Sequence, residues 1–142
     1  MYNAYEMSDS MMKCKIKMTR KSMKDISDRF TGTYIGDVVN KENCLCFRYT
    51  EFDTGARCFV LYEEDEVTIK RTGETRSKLV LRENQDTVAE ITTPYGEMGM
   101  NVRTSDITRI GNSLHVCYAF VEGNEETDII DITWEIMKEG IS

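Results

Sequence analysis

The stretch from Arg71 to Thr104 reads RTGETRSKLVLRENQDTVAEITTPYGEMGMNVRT and indicates the fold of the whole chain. Apolar and polar residues alternate along Ser77–Arg82, Thr87–Thr93 and Met98–Thr104, and short polar or proline-containing turns separate these runs. Alternation with a period of two is typical of strands that bury one face. The stretch therefore predicts consecutive antiparallel strands joined by tight turns.

The same alternation extends along the chain in both directions. Further strands are predicted at Met12–Thr19, Asp28–Ile35, Cys44–Glu51, Arg57–Tyr62, Val67–Arg71, Ile107–Ile110, Leu114–Val121 and Ile130–Ile136. About ten strands with short turns favour an antiparallel meander, and closing it removes the exposed edges. The predicted fold class is all-β: a single antiparallel up-and-down β-barrel of about eight to ten strands. One core is expected to contain Ile16, Leu79, Tyr118, Phe120 and Trp134.

Chain length and charge narrow the possible functions. We expect residues 1–10 to be a flexible N-terminal extension, because they lack the alternation, and residues 11–139 to form the barrel domain. The net charge of −7 opposes binding to nucleic acid or to anionic membranes. No apolar run approaches the roughly 18 residues that span a bilayer, and no basic, hydrophobic leader is present. The sequence thus predicts a small acidic cytoplasmic protein.

One basic region stands out in this acidic chain. It consists of Lys13, Lys15, Lys17, Arg20, Lys21 and Lys24. Aromatic residues that would stack on RNA bases are not interleaved with it, so we interpret it as a solvated outer face that deters edge pairing.

The five cysteines predict reduced thiols, because their number is odd and no secretory signal precedes them. Cys44 and Cys46 would share one strand face, and Cys58 or the single histidine, His115, could add ligands for zinc. Structural zinc sites usually use C-x-x-C knuckles in loops, which this chain lacks. Small buried hydrophobic residues are the simpler interpretation, so we expect no metal and no cofactor.

Several spacings resemble those of a known family. They are Arg71-x-Gly73-x-x-x-Ser77-x-Leu79-x-Leu81, Thr93-Pro94-Tyr95-Gly96, Val102-x-Thr104 and Tyr49-x-Glu51. Together they resemble the YwiB-like family, uncharacterised proteins with a domain of unknown function, over nearly all of the chain after Met12. The resemblance implies a lipocalin-like (calycin-type) β-barrel. It carries over no catalytic residues, because none are established in the family.

Polar side chains lie in phase with the apolar faces of several strands. Glu51 continues the face of its strand, and so does Arg71, so both are expected to point inward. An isolated buried arginine costs several kcal/mol, and Glu51 is the only carboxylate in this set. We therefore expect Glu51 to hold Arg71, helped by hydroxyls of Tyr49, Ser77 or Thr104.

This polar set has two interpretations. It is either a structural network that closes one barrel end, the commoner situation, or the polar floor of a pocket that holds a carboxylate or phosphate. The candidate ligand-binding residues, in the barrel interior or mouth, are Tyr49, Glu51, Arg71, Ser77, Tyr95 and Thr104.

Two function classes remain. The first is a small-ligand carrier or sensor that holds a small anionic or apolar molecule, since a barrel of about eight strands can enclose one. The alternative is a protein-interaction or regulatory module that acts through its outer surface while the barrel is fully packed. An enzyme ranks third, because no acid, base and nucleophile converge. His115 is out of phase with Leu114 and Val116 and is expected to face solvent, so no catalytic residue is assigned.

Overall fold

A computed structural model describes residues 11–25 and 27–138, and antiparallel strands make up most of this range. The strands are β1 (Met12–Ser22), β2 (Arg29–Lys41), β3 (Cys44–Thr50), β4 (Arg57–Glu63), β5 (Glu66–Thr72), β6 (Arg76–Arg82), β7 (Asp86–Thr93), β8 (Gly96–Ile110), β9 (Ser113–Glu122) and β10 (Glu125–Lys138). Each strand pairs with the next, and β1 pairs with β10, so the sheet closes on itself. The predicted all-β antiparallel barrel is confirmed. The extension predicted at residues 1–10 lies outside the described residues.

Strand β1 shows how the alternation produces the barrel. Cys14 and Ile16 are fully buried in the interior, whereas Lys13, Lys15 and Lys17 are exposed on the outer face. The same division holds for most of the sheet, and the inward faces meet in one apolar core. The predicted core is confirmed: Ile16, Leu79, Tyr118 and Trp134 are buried in it, and the partly buried Phe120 packs against it.

The two ends of the barrel differ in packing. At one end, where β2 turns into β3 and β4 into β5, the interior is filled by large side chains. These are Leu45, Val67, Leu81, Leu114 and Val116, all with no exposed surface. We call this the packed end. The opposite end, where β1, β3, β5, β7 and β9 finish, is the mouth. Its interior is not filled.

Strand β8 contains an irregularity that reverses which residues face inward. The pairing with β9 shifts between Thr104 and Asp106, as in a β-bulge. Val102 and Thr104 are buried inside, whereas beyond the shift the core contact is made by Ile107. Met98–Thr104 and Ile107–Ile110, predicted as separate runs, therefore belong to one strand.

Gly36 lets β2 pass close to its neighbours on both sides. A Cβ atom there would collide with the carbonyl oxygen of Arg48 and lie 2.8 Å from Ile16 Cδ1. Glycine in a strand commonly marks such a close backbone approach. It brings the β2 side chain Tyr34 against Tyr49 of β3, with ring centroids 4.7 Å apart, at the mouth.

Candidate functional site: the barrel mouth

The mouth contains a cavity of about 580 Å³. Its apolar lining includes Met18, Ile69, Leu79, Ile91, Ile132 and Trp134. Its polar lining includes Arg20, Glu51, Asp53, Thr54, Arg71 and Ser77. A concave apolar space of a few hundred cubic ångströms with a few polar groups is typical of small-molecule sites.

Arg71 and Glu51 form an ion pair in this lining. Arg71 Nη2 donates to Glu51 Oε1 at 2.5 Å, and Arg71 Nε lies 3.2 Å from the same oxygen. Burial disfavours the charged Glu51, but hydrogen bonds from Arg71 and Thr54 outweigh it and lower the pKa of this carboxyl. The Arg71 side chain is 40% exposed and that of Glu51 15%, so the pair lies at the boundary between interior and solvent.

Tyr49 lies deeper, below the ion pair. Its hydroxyl accepts a hydrogen bond from Trp134 Nε1 at 3.2 Å and is also hydrogen-bonded to Cys58. Burial raises the pKa of Tyr49, and it raises the pKa of the Cys58 thiol to about 11. Both groups are therefore neutral near pH 7, and the floor of the cavity carries no charge of its own.

The hydroxyls expected to help Glu51 do not bind Arg71. The Tyr49 hydroxyl is hydrogen-bonded to Trp134. Ser77 lines the cavity and lies opposite Arg71 in the β5–β6 pairing. Thr104 lies in the barrel wall, where its buried Oγ1 has no hydrogen-bond partner among the described residues. The role predicted for them belongs instead to Thr54, whose Oγ1 donates to Glu51 Oε1 at 2.8 Å. Thr54 lies in the β3–β4 loop, where strand parity gives no information.

Tyr95 is not brought to the cavity. It occupies the turn between β7 and β8 and is 99% exposed. Thr93 and Gly96 are paired on either side of it, so Tyr95 is at the tip of a hairpin and its side chain projects into water. Of the six candidate residues, Tyr49, Glu51, Arg71 and Ser77 line the cavity, whereas Tyr95 and Thr104 do not.

Arg20 is the cavity residue that the sequence interpretation placed wrongly. It was grouped with the outer lysines, but it is in phase with the buried Ile16 and Met18 and lines the cavity. Strand parity, applied to β1 as it was to the other strands, identifies it. Tyr118, assigned only to the core, also lines the cavity and is 8% exposed.

The cysteines considered for zinc lie on opposite faces of the sheet. Cys44 and Cys46 pack with Val39 in a small cluster separate from the interior core, whereas Cys58 lies inside the barrel. Cys58 therefore cannot complete a site with the other two. Among the described residues, no three His, Cys, Asp or Glu side chains are arranged to hold a metal ion.

His115 lies on the outer face of β9, as its phase predicts, but it is not simply solvated. Its Nδ1 is 2.6 Å from Asp106 Oδ2 on β8, and its Nε2 is 2.8 Å from Asp131 Oδ2 on β10. Burial favours the neutral ring, but the hydrogen bonds to Asp131 and Asp106 outweigh it and raise the pKa of His115. These three residues, the outer Asp–His–Asp cluster, lie outside the mouth cavity.

Fold and site together define a small closed β-barrel protein that is packed at one end and hollow at the other. The chain belongs to the family described as Domain of unknown function (DUF1934), whose sequence model matches residues 13–133. The crystal structure of the ywiB protein from Bacillus subtilis is similar, with a TM-score of 0.63 and 19% identity over 90% of this chain and 96% of that chain. At that identity the likeness shows the fold alone.

No curated protein matches the sequence. Within residues 11–25 and 27–138, no helix has the length and apolar character needed to cross a membrane.

Proposed function

We propose that the protein is a cytoplasmic, lipocalin-like carrier or sensor that binds one small molecule in the barrel mouth. The observation that carries this proposal is the cavity of about 580 Å³ in an otherwise packed barrel. An apolar floor and a polar rim suit a ligand with an apolar body and one polar end. A reducing cytoplasm suits the five free thiols.

The cavity also bears on the two alternatives raised by the sequence. A structural network that closed the barrel end would fill the space around Arg71 and Glu51, yet the pair lies in the cavity wall. A module that acted only through its outer surface would have no need of an unfilled interior, since empty apolar space costs stability. Both points favour ligand binding.

A neutral fluorescent probe tests the proposal. N-phenyl-1-naphthylamine emits strongly only in apolar surroundings, and we expect the wild-type protein to bind it with one-to-one stoichiometry. Ser77→Phe places a ring in the cavity, because Ser77 lines it, and should abolish probe binding.

Lys78→Phe is the matched control. Lys78 is the next residue of β6 and points outward, so the same ring is added to the outer face. We expect this variant to bind the probe like wild type. Equal probe binding by all three proteins, with circular dichroism unchanged, would show that the probe lies elsewhere and would remove the support for a mouth site.

A further inference from the structure

We infer that the molecule bound at the mouth carries a single carboxylate, which Arg20 and Tyr118 hold together. The inference rests on the proposed function and narrows it to small organic monoanions with an apolar body.

Arg20 supplies a positive charge in the cavity wall that no carboxylate of the described residues contacts directly. The other lining arginine, Arg71, is bound by Glu51, whereas within the described part of the chain Arg20 forms neither an ion pair nor a hydrogen bond. Arg20 is partly buried, so water solvates it incompletely. A guanidinium in such a position is best satisfied by an oxyanion, which accepts charge-assisted hydrogen bonds.

Tyr118 supplies a second, independent donor. It is 8% exposed and lines the cavity, and its hydroxyl has no hydrogen-bond partner among the described residues. Arg20 and Tyr118 line the same cavity. Burial raises the pKa of the Tyr118 phenol, which Arg20 lowers and Asp128 raises. Neither Tyr118 nor Arg20 has a hydrogen-bond partner among the described residues, so both side chains can donate to an oxyanion bound in this cavity.

The charges of the cavity lining favour a ligand with one negative charge over a ligand with two. Arg20 and Arg71 are balanced by Glu51 and Asp53 in the same wall. A monoanion bound at Arg20 adds one negative charge beside a guanidinium that no described carboxylate contacts. A doubly charged phosphate would add two, and Glu51, on which Arg20 also acts, would repel the second.

The apolar body would occupy the cavity floor. Tyr118 is in edge-to-face contact with Phe120, and Trp134 lies beside Tyr49, so a flat or aliphatic group meets apolar and aromatic surfaces. The groups below the donors are neutral, which leaves the charge recognition to Arg20 and Tyr118.

Displacement of N-phenyl-1-naphthylamine by two matched compounds tests the inference. 4-Phenylbutanoate and 4-phenylbutanamide have the same body, but only the first has a carboxylate. We expect the butanoate to displace the probe from wild type at a concentration about tenfold or more below that of the amide. A tenfold ratio in affinity corresponds to roughly one charge-assisted hydrogen bond.

Arg20→Met should remove this preference and leave the amide unchanged, because methionine keeps an apolar stem. Lys21→Met, which removes an outward cation from the same strand, should keep the preference. Tyr118→Phe should weaken butanoate binding several-fold without lowering the stability of the unliganded protein, since its hydroxyl forms no bond to lose.

The outcomes separate the inference from the proposed function. Equal displacement by butanoate and amide in wild type would overturn the inference while probe binding upheld the cavity as a binding site. A preference that survives Arg20→Met would also overturn it. Failure of wild type to bind the probe at all would overturn both.

Discussion

Arg20 and Arg71 face the same cavity in different electrostatic states. Arg71 is held by Glu51 through hydrogen bonds to both carboxylate oxygens, whereas Arg20 has no such partner within residues 11–25 and 27–138. An arginine that is already neutralised contributes to the wall, and one that is not can bind a ligand. Two identical side chains thus take different roles because of a single carboxylate.

The first prediction concerns the stability that the Arg71–Glu51 pair provides. Arg71→Ala should lower the free energy of unfolding by about 1 kcal/mol at pH 7, less than for a fully buried pair because the arginine side chain is 40% exposed. The folded-state pKa of Glu51 is lowered from 4.5, so its contribution is present above pH 4.5 and is lost as the pH falls through the lowered value. Urea unfolding of both proteins at several pH values measures this.

Arg82→Ala is the control for that prediction. Arg82 pairs with Glu66 on the outside at 2.8 Å, with the arginine 52% exposed, and should contribute less than about 0.5 kcal/mol. If the two substitutions lower the free energy of unfolding equally, the location of the Arg71–Glu51 pair at the mouth gives it no stability beyond that of an outer ion pair.

Residue identities at the mouth were predictable to the extent that strand parity applies. Parity predicts an inward direction for Arg71 and Ser77 and, by extension of β3 by one residue, for Glu51; all three line the cavity. The pairing of Arg71 with Glu51 follows from their charges. It cannot assign Thr54, because loop residues have no parity. It also cannot show that Arg20 lacks a partner among the described residues, because that depends on which carboxylates other strands bring near it.

At the scale of elements, the irregularity in β8 creates the outer Asp–His–Asp cluster. Strict alternation from Thr104 would point Asp106 inward. The shift between these residues turns Asp106 outward instead, opposite Cys117 of β9 and diagonal to His115. Asp131 of β10 is also opposite Cys117 and flanks the His115 ring from the other side. Three adjacent strands are thereby joined by one side chain. A bulge changes the phase of everything after it, which is why the sequence did not predict this cluster.

The second prediction is that the His115 imidazole titrates above its ordinary pKa of 6.5. Both ring nitrogens face carboxylate oxygens, and only the protonated ring can donate to both. Since the chain has one histidine, a proton NMR titration of the imidazole ring reports its midpoint directly. Asp131→Asn should move that midpoint back toward 6.5, and a wild-type midpoint at or below 6.5 would contradict the prediction.

The same cluster gives stability a defined pH dependence. Because the folded-state pKa of His115 is raised, its contribution is fully present below the unfolded pKa of 6.5 and is lost as the pH rises through the folded value. The difference in free energy of unfolding between wild type and His115→Gln should therefore shrink between pH 6 and pH 9. By the linkage relation, the decrease is about 1.4 kcal/mol for each unit by which the pKa is raised. A difference that stays constant would show that the pKa of His115 is the same in the folded and unfolded protein.

At the scale of the whole molecule, the barrel is a packed half joined to a hollow half. The architecture was predictable, because short turns between alternating strands leave closure as the way to satisfy the edges. The distribution of empty space was not. Leu79 and Leu81 look equivalent in the sequence, yet one lines the cavity and the other has no exposed surface.

The third prediction compares these two leucines. Leu81→Ala should cost about 3 to 5 kcal/mol, because it opens a new void among fully packed neighbours. Leu79→Ala enlarges a cavity that already exists and should cost about 2 kcal/mol, close to the transfer term alone. Thermal or urea unfolding of the two variants measures the difference. Equal losses would mean that the mouth is as tightly packed as the opposite end.

Closure of the sheet through β1 and β10 has a consequence for synthesis in the cell. The ribosome releases β1 well before β10. The pairing of Ile16 with Ile136 and of Met18 with Trp134 therefore forms only after β10 has been synthesised, and until then β1 has β2 as a neighbour but not β10. Until then the nascent chain presents an open edge and an apolar face, features that make incompletely folded β-proteins prone to aggregation. Antiparallel neighbours can pair one hairpin after another, whereas the β1–β10 pairing joins segments from opposite ends of the barrel sequence, and pairings between distant segments slow folding.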